Sequence, residues 1–373
     1  LRSRGKESEA RALASDVLWW LILALGGICL LGMIFADSVV TAVAPGFVGE
    51  KRELTIGLTR IMLFSPLFLA VSAVLSGVLM SSHRFIAYSL APIFYNVGII
   101  FGILALVPFF GARGLGWGVV VGSLLHMLTQ WPAFTMVGWR SRFRPITSFR
   151  NPVLRRVVRL MIPRSLSMGV NQVSLLVMTG FASLLVSGSL AAFTLANNIQ
   201  SVALGIFGVA FSVAVFPALS AAAAEHKERV FFTLLADTTR RILFFVLPLS
   251  ALMIVFRAQF VRVILGSGQF NWEDTIVTFN ILALLSVSLF AQSLIPLFSR
   301  GFFALQNTRI PLLIACGAGI LHIFLLIILW QSSYFSIEML ALVFSCVTIV
   351  NFGLLYFMLK RRSSYWDDTR MLI

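Results

Sequence analysis

The stretch AAFTLANNIQSVALGIFG (191–208) decides how the chain is read. It sits within an apolar run at 190–220 that is long enough to cross a bilayer as a helix, yet its first half carries Asn197, Asn198 and Gln200. A buried amide without a partner is costly, so each of the three must be answered by a neighbour, a cargo or water. At 100° per residue, Thr194, Asn198, Ser201, Gly205, Gly208 and Ser212 fall on one face. That stripe is about 27 Å long at the helical rise, close to the hydrocarbon thickness. Asn197 borders it and Gln200 points away. A similar stripe runs through the preceding apolar segment: Ser165, Gly169, Gln172, Leu176, Thr179 and Ser183. Two readings are open. Small and polar residues let helices pack closely and bond across the interface for about 0.6–2 kcal/mol. Alternatively, the two stripes line a hydrated cavity for a polar cargo.

The rest of the chain has the same character. Of 373 residues, 59% are hydrophobic and 12% charged, and mean hydropathy is +0.96. A water-soluble domain needs far more surface charge. Ten apolar spans are expected, at 16–36, 57–80, 86–107, 115–138, 160–186, 190–220, 239–257, 275–299, 310–330 and 337–359. In lipid, backbone groups must be satisfied within each segment, so the fold class is all-α, a polytopic helical membrane protein. The short alternating segments of a β-barrel are absent from this pattern.

The net charge of +15 raises the question of nucleic acid, but the position of the charge answers it. With the ten spans threaded alternately, 23 of the 29 Lys and Arg fall on one side and six on the other: Lys51, Arg52, Arg60, Arg113, Arg257 and Arg262. This is the positive-inside pattern, with both termini cytoplasmic and no nucleic-acid partner expected. The densest cluster, WRSRFRPITSFRNPVLRRVVR (139–159), holds seven arginines. It reads as a cytoplasmic linker that sets topology, with anionic lipid headgroups as its possible contacts. The expected organisation is a first lobe at 1–138, the linker at 139–159, a second lobe at 160–359 and a cytoplasmic tail at 360–373.

A parallel internal repeat organises the spans. VVTAVAPGFVGEKRELT (39–55) corresponds to FVRVILGSGQFNWEDT (260–275), and SGVLMSSHRFIAYSLAP (76–92) to SRGFFALQNTRIPL (299–312). Phe47 to Phe270 is 223 residues, and Gly77 to Gly301 is 224. Spans one to four pair with spans seven to ten. Spans five and six then lack a counterpart, which leads to the expectation of two further helices upstream of Leu1. Duplicated bundles carry substrate between their halves, which favours the cavity reading of the stripes.

Other polar residues within spans are isolated: Asn96, His126, Gln130, Asn280, Gln292 and His322 read first as interhelical hydrogen bonds. Arg60 and Asp37 near helix ends can snorkel, and Arg84, Arg300 and Arg309 stand at cytoplasmic helix ends. Cys29, Cys316 and Cys346 lie in apolar runs without metal-ligand spacing. No paired carboxylates lie within the spans, and no nucleophile motif or phosphate-cradling glycine loop occurs, so neither an enzyme, a metal nor a cofactor is expected.

These motifs resemble those of the MurJ/MviN lipid II flippases of the MOP exporter superfamily. The resemblance rests on APGF (44–47), RFIAYSLAPIFYNVGII (84–100), the run from Asn171 to Ser220, FVRVILGSGQFNWEDT (260–275) and RGFFALQNTRIP (300–311). It implies a MOP/MATE-like bundle of two lobes that flips an undecaprenyl-linked peptidoglycan precursor across the bacterial cytoplasmic membrane by alternating access. It also implies that two opening and two closing family helices are missing. Carried over residue by residue, Asn96 and Gln172 match polar family positions, and Thr194 accompanies them on the stripe. Asn197, Asn198 and Ser201 stand where the family typically has an Asp, an Arg and a Glu. The implied substrate contacts are therefore Asn96, Gln172, Thr194, Asn197, Asn198 and Ser201, with Arg60, Arg84 and Arg300 as gate or headgroup contacts. The implied partners are the lipid-linked precursor and membrane lipids, with cell-envelope assembly proteins as a further candidate. Two alternatives stand beside this reading: a MOP exporter of another lipid-linked glycan or small molecule, and a non-transporting membrane scaffold.

Overall fold

In the computed structural model, residues 7–82, 84–136, 169, 172–266 and 270–362 are described. The Arg-rich segment 139–159, Arg164, Ser165 and the tail beyond 362 lie outside them. The chain divides into two compact units, Leu1–Arg164 and Ser165–Ile373.

All described regular structure is helical. The first unit contains α1 (Glu7–Ile34), α2 (Ala36–Val43), α3 (Gly49–Met62), α4 (Ser65–Ser81), α5 (Phe85–Phe101), α6 (Val107–Phe110) and α7 (Arg113–Met136). The second contains α8 (Gln172–Ser183), α9 (Ser189–Ala203), α10 (Ala210–Ala224), α11 (Glu228–Val255), α12 (Arg257–Leu265), α13 (Trp272–Val287), α14 (Leu289–Ala304), α15 (Arg309–Trp330) and α16 (Ile337–Lys360). Short π-helical segments, Gly102–Leu106 and Leu204–Val209, join α5 to α6 and α9 to α10.

Each expected span overlaps helix where it is described, with breaks at Phe35, Leu63–Phe64, Phe256 and Ser288 and with the helix of the fifth ending at Ser183. Among the described residues, seven helices are long and apolar enough to cross a membrane, or eight if the α13–α14 pair counts as one span. Large apolar side chains face outward, among them Ile28, Leu104, Phe244 and Ile320, as lipid-exposed helices require. The protein is thus a multi-pass helical membrane protein. Helix α7, the expected fourth span, has the length, but Gly114, Gly116, Gly118, Gly122, His126 and Gln130 dilute its apolar character.

Those glycines have a packing role. A Cβ on Gly98 would lie 2.3 Å from the Cα of Gly122, and one on Gly102 would lie 2.3 Å from the Cα of Gly118. One on Gly114 would meet the Leu106 backbone at 2.6 Å. So α5 and its π-helical extension lie backbone to backbone against α7, with small residues at four-residue spacing on both sides. In lipid there is no hydrophobic gain from pairing helices, and this close approach substitutes van der Waals contact. A polar cluster reinforces α4 against α7. The Ser72 hydroxyl is 2.7 Å from His126 Nδ1, Gln130 Nε2 donates to Ser72 Oγ at 2.6 Å, and Ser76 donates to Gln130 Oε1 at 2.8 Å. His126 and Gln130 are therefore interhelical bonding partners, as expected from their isolation in the sequence.

The second unit is held differently. One continuous apolar cluster, centred on residues such as Phe231, Leu235, Ile281, Leu285, Phe298 and Phe302, joins α11, α13 and α14 to α16. Helix starts are marked locally. Gly188 takes a left-handed conformation (φ +100°) to open α9. Asn271 and Asp274 form a reciprocal capping box at the start of α13.

The parallel repeat is present element by element. Helices α1 and α11 are each 28 residues long and start at residues 7 and 228, an offset of 221. Both end at a phenylalanine with nearly the same backbone angles, Phe35 (φ −94°, ψ 19°) and Phe256 (φ −97°, ψ 24°). Helices α7 and α16 are each 24 residues and start at 113 and 337, an offset of 224. The three-residue drift accumulates between α2 and α4, around the glycine turns recognised in the sequence. Helices α8 to α10 stand outside the repeat.

Candidate functional site

The two copies of the repeat diverge where their middle helix is broken. Helices α3 and α4 form one 33-residue span with an irregular turn at Leu63–Phe64, whereas α13 and α14 bend by 45° at Ser288. The last turn of a helix leaves its carbonyls without intrahelical donors, and in an apolar setting they need substitutes. The Ser288 N–H and hydroxyl reach the Leu285 carbonyl, each at 3.0 Å, and three neighbouring helices add further donors. Gln200 of α9 donates from Nε2 to the Leu285 carbonyl at 2.8 Å. Ser345 of α16 donates to Leu284 at 2.8 Å, and Ser250 of α11 to Ser286 at 3.0 Å. Ser288 itself donates to Ser345 Oγ at 3.1 Å and accepts from Gln292 Nε2 at 2.9 Å. Gln200 is 1% exposed, so its orientation away from the polar stripe is toward this break.

The stripe itself does not run the length of the helix. Thr194, Asn198, Ser201 and Gly205 are exposed, but Gly208 and Ser212 are buried. Gly208 packs against α14, where a Cβ would lie 2.8 Å from the Cα of Ser293. The reason is the π-helical segment Leu204–Val209. Its wider turn rotates the following residues relative to a continuous α-helix, so a projection at 100° per residue holds only up to Ala203.

On the other side of Asn197 is a cavity of about 330 Å³ inside the second unit. Its polar lining comes from Ser174 of α8, Asn197 and Ser201 of α9, Gln292 of α14, His322 of α15, and Thr348 and Asn351 of α16. Leu175, Ile295, Phe344 and Val347 supply apolar walls. None of these lining residues is charged.

Asn197 and Ser201 are thus the two expected contacts that the structure brings to one cavity. Ser201 lines it while donating to the Asn197 carbonyl at 2.7 Å. Thr194 and Asn198 face outward from α9, Thr194 donating to the Leu190 carbonyl at 2.8 Å. Gln172 is exposed on α8, two residues from the cavity-lining Ser174. In the first unit, Asn96 is exposed and donates to the Pro92 carbonyl at 3.1 Å. Arg60 donates to the Met33 carbonyl at 3.3 Å, placing its charge at the C-terminal end of α1, where the helix dipole favours a cation. Arg84 is exposed at the N-cap of α5, and Arg300 is half-buried in α14.

The sequence reading missed Ser174, Thr348 and Asn351, and took Gln292 and His322 only as interhelical bonds. Thr348 and Asn351, three residues apart, share a helix face with Phe344, a signal that was open to reading. Among the described residues, no group of three or more His, Cys, Asp or Glu is placed to hold a metal.

A family model described as lipid II flippase MurJ matches residues 1–373. The chain belongs to the lipid II flippase MurJ family. A probable lipid II flippase MurJ of Rhizobium meliloti (strain 1021) is 30% identical over 281 residues, covering 73% of this chain and 52% of that protein. One from Buchnera aphidicola subsp. Schizaphis graminum is 29% identical over 367 residues, covering 97% of this chain and 70% of that protein. The chain thus spans about half of the first relative and somewhat more of the second. Among solved structures, an inward closed conformation of lipid II flippase MurJ superposes with a TM-score of 0.80 at 23% identity, covering 95% of this chain and 73% of that one. An inward-facing multidrug resistance MATE transporter of the MOP superfamily superposes with a TM-score of 0.78 at 18% identity, covering 96% and 83%. These likenesses show a shared fold, a helical bundle like those of the two solved transporters. MurJ family membership is also the point at which the two-copy helical architecture, the APGF turn and the second-copy loops come together.

Proposed function

We propose that the protein carries an undecaprenyl-linked peptidoglycan precursor, lipid II, from the cytoplasmic to the outer leaflet of the bacterial cytoplasmic membrane by alternating access. The observation that carries this reading is the MurJ family match over residues 1–373. Physical support comes from the polar groups gathered around one cavity of an otherwise apolar bundle, among them Asn197, Ser201, Thr348 and Asn351, which cost free energy unless a cargo or water meets them. The reaction is transport without a chemical step, and no catalytic residue is assigned.

In this reading Asn197, Asn198, Ser201, Thr194, Gln172 and Asn96 contact cargo, and Arg60, Arg84 and Arg300 meet the gate or headgroup. The lobes are residues 1–138 and 160–359, with 139–159 a basic cytoplasmic linker and both ends of the chain cytoplasmic. Because Asn197 and Asn198 replace an Asp-Arg pair typical of the family, they offer hydrogen bonds but no local charge for a diphosphate. The charge for that group must come from arginines elsewhere.

The test is growth of a bacterium whose own flippase is depleted. Expression of the complete gene is expected to restore growth and shape. Failure to do so, with the protein present in the membrane at normal level, contradicts the proposal and favours a different cargo or a scaffold role.

A further inference from the structure

The cavity inside the second unit is lined for a ligand without charge. His322 is 2% exposed, and its Nε2 has no hydrogen-bond partner among the described residues. Leaving such an atom unmet costs about 1–3 kcal/mol; the atom is itself covered, and a polar ligand meets it when the ring turns toward the cavity that His322 lines. The Asn197 and Asn351 amides also line the space, each with two donors and an acceptor. An ion fits poorly. A cation would meet no carboxylate and an anion no Lys or Arg among the lining residues. Phe344 adds an apolar wall, its ring edge-on to His322 at 5.9 Å.

We propose that this cavity is a binding subsite for a single pyranose ring bearing hydroxyl and acetamido groups, the chemistry of an N-acetylated sugar. Its volume of about 330 Å³ accommodates one such ring, near the lower limit of about 300 Å³ for small-molecule pockets. Amides and an imidazole that can each donate and accept match adjacent hydroxyls, and the Phe344 wall suits the ring's C–H face. The corresponding place in the first copy of the repeat is closed. His322 stands 224 residues after Gly98, and at Gly98 the α5 and α7 backbones are in contact. The second copy is open where the first is closed. That the sugar is part of the transported cargo rests on the proposed function; the binding chemistry does not.

The experiment uses the full chain purified in nanodiscs, with methyl N-acetylglucosaminide as the probe and saturation-transfer NMR as the readout. Saturable binding is expected, on the order of millimolar for so small a contact set. Asn351→Leu and His322→Phe should each weaken it about tenfold or more, as loss of a buried polar partner does, with the melting temperature retained. Should His322→Phe fail to fold, Asn351→Leu carries the test. Absence of saturable binding by folded parent protein overturns the subsite, and so does equal binding by both folded variants. Stabilisation by sodium over choline chloride that is lost in Asn351→Leu, without sugar binding, overturns it in favour of a cation site. Sugar binding by a protein that fails to rescue flippase-depleted cells supports the subsite and counts against the transport reading. Rescue without sugar binding overturns the subsite alone.

Discussion

Gln200, Asn197 and Asn198 lie within four residues of one another and have three different surroundings. Gln200 caps the Leu285 carbonyl at the break between α13 and α14, Asn197 lines the second-unit cavity, and Asn198 faces outward. Replacing Gln200 by Leu removes the α9 donor from that carbonyl, which keeps the Ser288 N–H and hydroxyl, each at 3.0 Å. The expected loss is that of one hydrogen bond, about 0.5–1.5 kcal/mol, read by denaturant or thermal unfolding of the purified protein. Stability equal to the parent would contradict the capping role. Labelling separates the residues further. In a background without Cys29, Cys316 and Cys346, cysteines at Ser201 and Asn351 are expected to react with a small membrane-impermeant thiol reagent, and one at Gln200 is expected to be protected. Protection of both cavity positions would mean that water does not reach the cavity. The division of these residues was partly legible in the sequence. Helical periodicity puts Asn198 and Gln200 on different faces because it depends only on local geometry. It could not show that Gln200 answers a carbonyl 85 residues away.

At the scale of elements, the two units obtain their cohesion by different means. The first depends on backbone contact between α5 and α7, so a side chain at Gly98 or Gly118 must force those helices apart. Gly98→Leu is expected to destabilise by at least the 1–3 kcal/mol typical of overpacking, and to lower the yield of monodisperse protein. Gly317→Ala on α15 is the control, because nothing lies within 4 Å of a Cβ there, and it should be neutral or slightly stabilising. Equal behaviour of the two variants would refute the close-packing account. The helices themselves were readable from apolar runs, and the repeat from its turns, since both depend on pattern. The bend at Ser288 and the two π-helical segments were not, because no charged residue or proline falls at any of the three. The Leu204–Val209 segment is what divides the expected membrane-long stripe into an exposed half and a buried half.

For the whole molecule, the internal repeat, the MurJ family match and the asymmetry of basic residues all bear on transport and orientation. The 23-to-6 division of Lys and Arg predicts that a reporter fused after Ile373 is active only in the cytoplasm. A reporter active on the outer side would invert the assigned topology. The central claim is movement of the lipid-linked precursor between leaflets, and exposure of that precursor at the outer surface measures it most directly. In cells depleted of their own flippase and expressing this protein, an externally added enzyme that cleaves the lipid-linked precursor is expected to cut it at close to the level in undepleted cells. Precursor that accumulates uncut behind the membrane, with the protein correctly inserted, would contradict the account.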